Sequence, residues 1–106
     1  MPKFLIQGSY TPEGTKGLLK EGGSQRRATV EKTLKGLGVR VEACYYSLGE
    51  DDVYLIVDAP DNVTVAAVSM AVNASGAVRL RTTVLLTTEE IDAATKKTVD
   101  YHPPGR

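Results

Sequence analysis

Apolar and polar residues alternate along four stretches of the chain and recur at helical spacing in the segments between them. Over Lys3–Tyr10, Phe4, Ile6 and Tyr10 fall on one side and Lys3, Gln7 and Ser9 on the other, with Leu5 an apolar intruder. This period of two predicts a first strand. Thr11-Pro12-Glu13 then reads as a helix start: a hydroxyl cap, proline in the first turn and an acid beside the helix N-terminus. Leu18 and Leu19 give the opening segment an apolar face, Gly22-Gly23 interrupts it, and Ser24 can cap a second stretch carrying Ala28, Val30, Leu34 and Leu37. The expectation is one long kinked helix, or two in series, over Pro12–Leu37, closed by a left-handed Gly38.

Alternation resumes over Val39–Leu48 and Val53–Ala59, and the short Gly49-Glu50-Asp51-Asp52 connection makes these two strands an antiparallel hairpin. Pro60-Asp61-Asn62 stops the hairpin and caps a helix that runs through Val65, Val68, Met70 and Val72 to about Ala74. A last strand covers Ala77–Leu86, Thr88-Glu89-Glu90 starts a short final helix, and residues 98–106 form a flexible tail beyond a single domain of residues 1–97. The order strand, helix, strand, strand, helix, strand predicts an α+β, ferredoxin-like βαββαβ fold. Its four-stranded antiparallel sheet carries both main helices on one face.

Composition narrows the function classes. The chain has 106 residues, 42% hydrophobic and 25% charged, which fits one domain with its own core. Thirteen basic residues balance thirteen acidic ones, so the basic excess that drives binding to nucleic acid or an anionic membrane is missing. A single cysteine, Cys44, and a single histidine, His102 in the tail, leave no disulfide, metal centre or histidine-based triad to expect, and no cofactor signature stands in the sequence. The glycines after the first strand follow no phosphate-loop pattern. No apolar run reaches membrane-spanning length and the chain enters a strand at once, so a cytoplasmic protein without a signal peptide is expected.

Two helices on one face leave the other face of the sheet to be explained. With the more apolar set of each strand (Phe4, Ile6, Tyr10, Val39, Val41, Val53, Leu55, Val57, Val78, Leu80, Val84, Leu86) turned to the helices, the opposite set is amphiphilic. It holds Leu5, Gln7, Ser9, Glu42, Cys44, Tyr46, Tyr54, Ile56, Asp58, Arg79, Arg81, Thr83 and Leu85. That is more apolar surface than a small monomer leaves open, and a second copy closing sheet on sheet is the economical cover. The candidate ligand-binding or interface residues on this face are Gln7, Cys44, Tyr46, Tyr54, Asp58, Arg79 and Arg81. Two readings stand for its charges: an anion clamp built on Arg79 or Arg81, or cross-strand ion pairs that fix register and interface. Tyr46 and Tyr54 line a pocket or pack across the strands, and Cys44 reads as a small buried hydrophobe rather than an activated thiolate.

The stretches SYTPEGTKGLLKEGGSQRR, VEACYYSLGEDDVYLIVDAPDN and AVNASGAVRLRTTVLLTTEEID resemble the GYD domain family of small bacterial proteins over about residues 3 to 95. The family's Gly-x-Tyr-Asp turn here reads Gly49-Glu50-Asp51-Asp52, with Asp51 in the tyrosine's place and Gly49 and Asp52 matching. The resemblance implies a bacterial, cytoplasmic protein similar to the dimeric α/β-barrel proteins, in which two such sheets close face to face. It implies no reaction, substrate or cofactor. The expected function is a homo-oligomeric small-ligand-binding, assembly or regulatory module. The alternative is a cofactor-independent isomerase or oxygenase acting on a small aromatic or enolizable compound, with Tyr46, Tyr54, Asp58 and Arg81 as ring contacts, acid/base group and anion stabiliser.

Overall fold

The computed structural model describes residues 1–106. Its elements are β1 (Lys3–Tyr10), α1 (Pro12–Glu21), α2 (Gly23–Lys35), β2 (Arg40–Tyr46), β3 (Val53–Asp58), α3 (Asn62–Ala74), β4 (Val78–Leu85) and α4 (Thr88–Thr95). The strands form one antiparallel sheet in the order β2-β3-β1-β4, the ferredoxin-like arrangement expected from the sequence.

Local chemistry sets the element ends. Thr11 Oγ1 accepts from Gly14 N and donates to Gly76 O (2.8 Å), so one hydroxyl caps α1 and ties it to the entry of β4. Gly14 is required by that approach: a Cβ there would lie 2.0 Å from the Ala77 carbonyl oxygen. The helical region is two helices in series. Gly22, at φ 80°, separates α1 from α2, a conformation only glycine adopts without strain. Asp61 Oδ1 accepts from Thr64 N (2.8 Å) at the start of α3, and Thr87 and Glu90 form a reciprocal capping box on α4.

A single apolar cluster of Phe4, Ile6, Leu34, Val39, Val57, Ala59 and Val65 holds the helices to one end of the sheet. From there the helices diverge, α2 lying along β2 and α3 along β4, without a continuous seam between them. Asn73 Oδ1 accepts from Leu80 N (2.7 Å), so α3 satisfies a backbone donor of the edge strand. Val84 and Leu86, expected in the core, are exposed: Val84 lies on the edge strand β4 and Leu86 just beyond its end. Every residue of α4 is exposed, and α4 packs against no other element to any extent comparable with α2 on β2 or α3 on β4. The radius of gyration is 17.0 Å, against about 13 Å for a compact domain of this length, in keeping with an arm that stands off the body. No helix is long and apolar enough to cross a membrane.

Candidate functional site

Cross-strand partners point to the same face of a sheet, so the register sorts the candidate residues. Gln7 stands opposite Tyr54 and Arg81, Ser9 opposite Arg79, Leu5 opposite Ile56 and Thr83, and Lys3 opposite Asp58. Gln7, Tyr54, Asp58, Arg79 and Arg81 therefore share the helix-free face.

Cys44 and Tyr46 do not, contrary to the expectation from the sequence. The β2–β3 register shifts between Val41 and Ala43, a bulge that sets Glu42 and Ala43 against Ile56. Past the bulge Cys44 pairs with Leu55 and Tyr46 with Val53, both helix-side residues, and Tyr45 takes the free face opposite Tyr54. No strand residue in this stretch marks the bulge, and the Tyr45-Tyr46 doublet fits either parity equally well.

Two carboxylates organise the free face. Asp58 accepts from Lys3 Nζ (2.8 Å) and Arg40 Nη2 (2.5 Å), and Lys3 Nζ also donates to Glu42 Oε2 (3.2 Å). Asp51 accepts from Arg81 Nη2 (2.5 Å), Ser9 Oγ (2.9 Å) and Gln7 Nε2 (2.9 Å). Each aspartate is only 5–6% exposed although it lies on an uncovered face. The hydrogen bond from Lys3 holds the Asp58 carboxyl below the usual carboxylate range, and the bond from Arg81 does the same for Asp51, against the opposing effect of burial. Arg81 is thus already neutralised and is no free anion clamp, while Arg79 carries no ion pair.

Asp51, Lys3, Arg40 and Tyr45 are absent from the residues singled out by sequence. Asp51 stood out only as the departure from the family's turn, and its partners come from β1 and β4, far away along the chain. Its neighbour Asp52 accepts from Tyr10 N (2.8 Å) and donates its backbone N–H to Gly8 O (2.8 Å). The turn is therefore sewn onto β1 on both sides.

On the helix side, the divergence of α2 and α3 leaves a cleft of about 140 Å³ floored by Ile6, Val53, Leu55 and Leu80 and walled by Val30, Val68 and Val72. Cys44 and Tyr46 line it. Burial pushes the Cys44 thiol up, with Arg27 opposing, so the thiol is protonated at neutral pH. Burial and the neighbouring Tyr10 push the Tyr46 phenol up to about 12, and its hydroxyl makes a long bond to Gly23 O (3.4 Å).

Comparisons with known proteins agree with this architecture. The GYD domain family model matches residues 4–95. A protein of Thermus thermophilus named glutamine synthetase and cystathionine beta-lyase binding protein is 34% identical over 83 residues, covering 77% of this chain and 85% of that protein. Among solved structures, the leucine response regulatory protein of Mycobacterium tuberculosis matches 82% of this chain at a TM-score of 0.51 and 18% identity, a likeness of fold alone. The chain spans about half of that structure's length, 51%.

Proposed function

We propose that this chain, which belongs to the GYD domain family, is a self-assembling binding module that closes its free sheet face against a second copy and in that form engages partner enzymes. The observation that carries the reading is the composition of the free face. Leu5, Ile56, Tyr54 and Leu85 are half-buried there and Tyr45 is 73% exposed, while both aspartates are already paired with cations of their own chain. Unpaired charges resist burial, whereas charges satisfied within one subunit can be covered without a new desolvated, partnerless ion. The arm adds support. An isolated helix of eight residues is far below the length that holds in water, so α4 needs a surface that its own body does not supply. The name of the Thermus relative supports enzymes as partners, with glutamine synthetase and cystathionine β-lyase the first to test.

The catalytic alternative loses its acid/base group. Asp58 is held ionised by two cations, and a general base needs a proton affinity near the working pH and a free lone pair facing substrate.

Light scattering on the eluting full-length protein tests self-assembly: an even-numbered oligomer is expected, and Ile56→Asp should dissociate it with unchanged circular dichroism. A wild-type monomer at micromolar concentration overturns the assembly. Biolayer interferometry with the two enzymes from the same source organism tests the partner reading. An assembled protein that binds neither overturns it.

A further inference from the structure

The cleft between α2 and α3 lies on the opposite side of the sheet from the proposed interface, and its character is different. Three charged residues line it: Arg26, Arg27 and Glu31. Arg27 Nε and Glu31 Oε1 neutralise one another at 2.6 Å. Arg26 is half-buried and makes neither an ion pair nor a side-chain hydrogen bond, and α2 has no acid in its first turn to offset it. Arg26 stands close enough to Tyr46 to act on its hydroxyl electrostatically. The space therefore has an apolar floor and walls, one uncompensated cation and a phenol that stays protonated at neutral pH.

We propose that this cleft binds a small carboxylate, its apolar body filling the space between α2 and α3 and its carboxylate meeting Arg26 and the Tyr46 hydroxyl at the rim. Size sets the body. An apolar protein cavity of about 150 Å³ accepts benzene, and the cleft here is about 140 Å³, room for one aromatic ring or a short branched chain. Charge sets the head. An arginine presents parallel N–H donors that match a carboxylate's two oxygens, and the bond to Gly23 O is long enough for the Tyr46 hydroxyl to turn to a better acceptor. Cys44 contributes only apolar wall, since its thiol is protonated. The site does not rest on self-assembly: Val30, Val68, Val72 and Arg26 all belong to helices of one chain.

Methyl and amide NMR titration of the full-length protein with benzoate, and with benzamide as its neutral isostere, tests the site. Benzoate should shift the Val30, Val68 and Val72 methyls saturably at one per chain, with benzamide weaker by roughly tenfold, the loss of one charge-assisted contact. Arg26→Gln, a change on the rim, should lower benzoate affinity by about the same factor and leave benzamide unchanged. Val72→Phe should block both probes; should that variant not fold, Arg26→Gln still decides. Several results overturn the proposal: no shift at those methyls at millimolar benzoate, shifts confined to Leu5 and Ile56 on the free face, or an unchanged benzoate preference in Arg26→Gln. Cleft methyl shifts that depend on protein concentration without any probe, and that persist in Ile56→Asp, would also overturn it, because the arm of a second copy would then be the occupant.

Discussion

One sheet presents two faces that treat charge in opposite ways. On the free face, acids and bases from all four strands and the β2–β3 turn neutralise each other within the chain, with Arg79 left unpaired, and half-buried apolar residues lie among them. On the helix face the apolar residues surround a space, and one cation is left over at its rim. The first pattern suits a covering by protein, where every unpaired charge would have to be desolvated. The second suits a small ion that brings its own countercharge and leaves again. The contrast also separates the arginines: Arg40 and Arg81 are structural because a carboxylate is at hand, whereas Arg79 on the free face and Arg26 at the cleft have none, and of these two Arg26 alone borders an apolar space.

Both faces hang on the same end of the sheet, and the largest effect should come from breaking that end. Phe4 is fully buried at the centre of the apolar cluster, with Val57 and Val84 as its cross-strand partners. Phe4→Ala should cost about 3–5 kcal/mol in urea denaturation, the range for truncating a buried aromatic. It should loosen both faces together, so a variant that lost only the cleft or only the free-face assembly would show that the two are not held by a common core.

The next comparison is between two valines on the helix side. Val57 is completely enclosed, whereas Val72 is half-buried and faces the cleft. One added methylene at Val57, as Val57→Leu, should cost about 1–3 kcal/mol because the surroundings are filled. Val72→Leu should stay within about 0.5 kcal/mol of wild type because there is space to enter. Equal destabilisation in the two variants, read from thermal melts, would mean that the cleft is as tightly packed as the core.

The outline of the fold was legible because its signals are local. Thr11-Pro12-Glu13 and Asp61 mark helix starts through side-chain caps, Gly22, Gly38 and Gly76 mark the breaks through positive φ, and period two marks all four strands. The site was less legible because its determinants are not local. One inserted residue at Glu42 reverses the facing of Cys44, Tyr45 and Tyr46, and alternation alone cannot reveal where a strand skips a beat. Asp51 sits in a turn, and only the assembled sheet brings Gln7, Ser9 and Arg81 to it. The cleft arises from the angle between α2 and α3, which the apolar spacing of either helix leaves undetermined. The standing-off of α4 is equally silent in a sequence whose capping box announces only that a helix forms.

The smallest expected effect tests the charge half of the comparison directly. The folded chain holds the Asp58 and Asp51 carboxyls below the ordinary value of about 3.9 that they have when unfolded. A depressed carboxylate contributes stability that is complete above its unfolded value and is lost as pH falls through its folded one. Between those two values the unfolded chain takes up protons that the folded chain refuses. Asp58→Asn should therefore be less stable than wild type at neutral pH, with the difference shrinking once the pH drops below the ordinary carboxylate range. Arg26→Gln should show no such convergence, since the Arg26 side chain meets no carboxylate of its own chain. Urea melts of both variants across acid and neutral pH would read this out. A pH-independent gap for Asp58→Asn would mean that Lys3 and Arg40 crowd this carboxylate without stabilising its charge, and the free face would lose its claim to be neutralised from within.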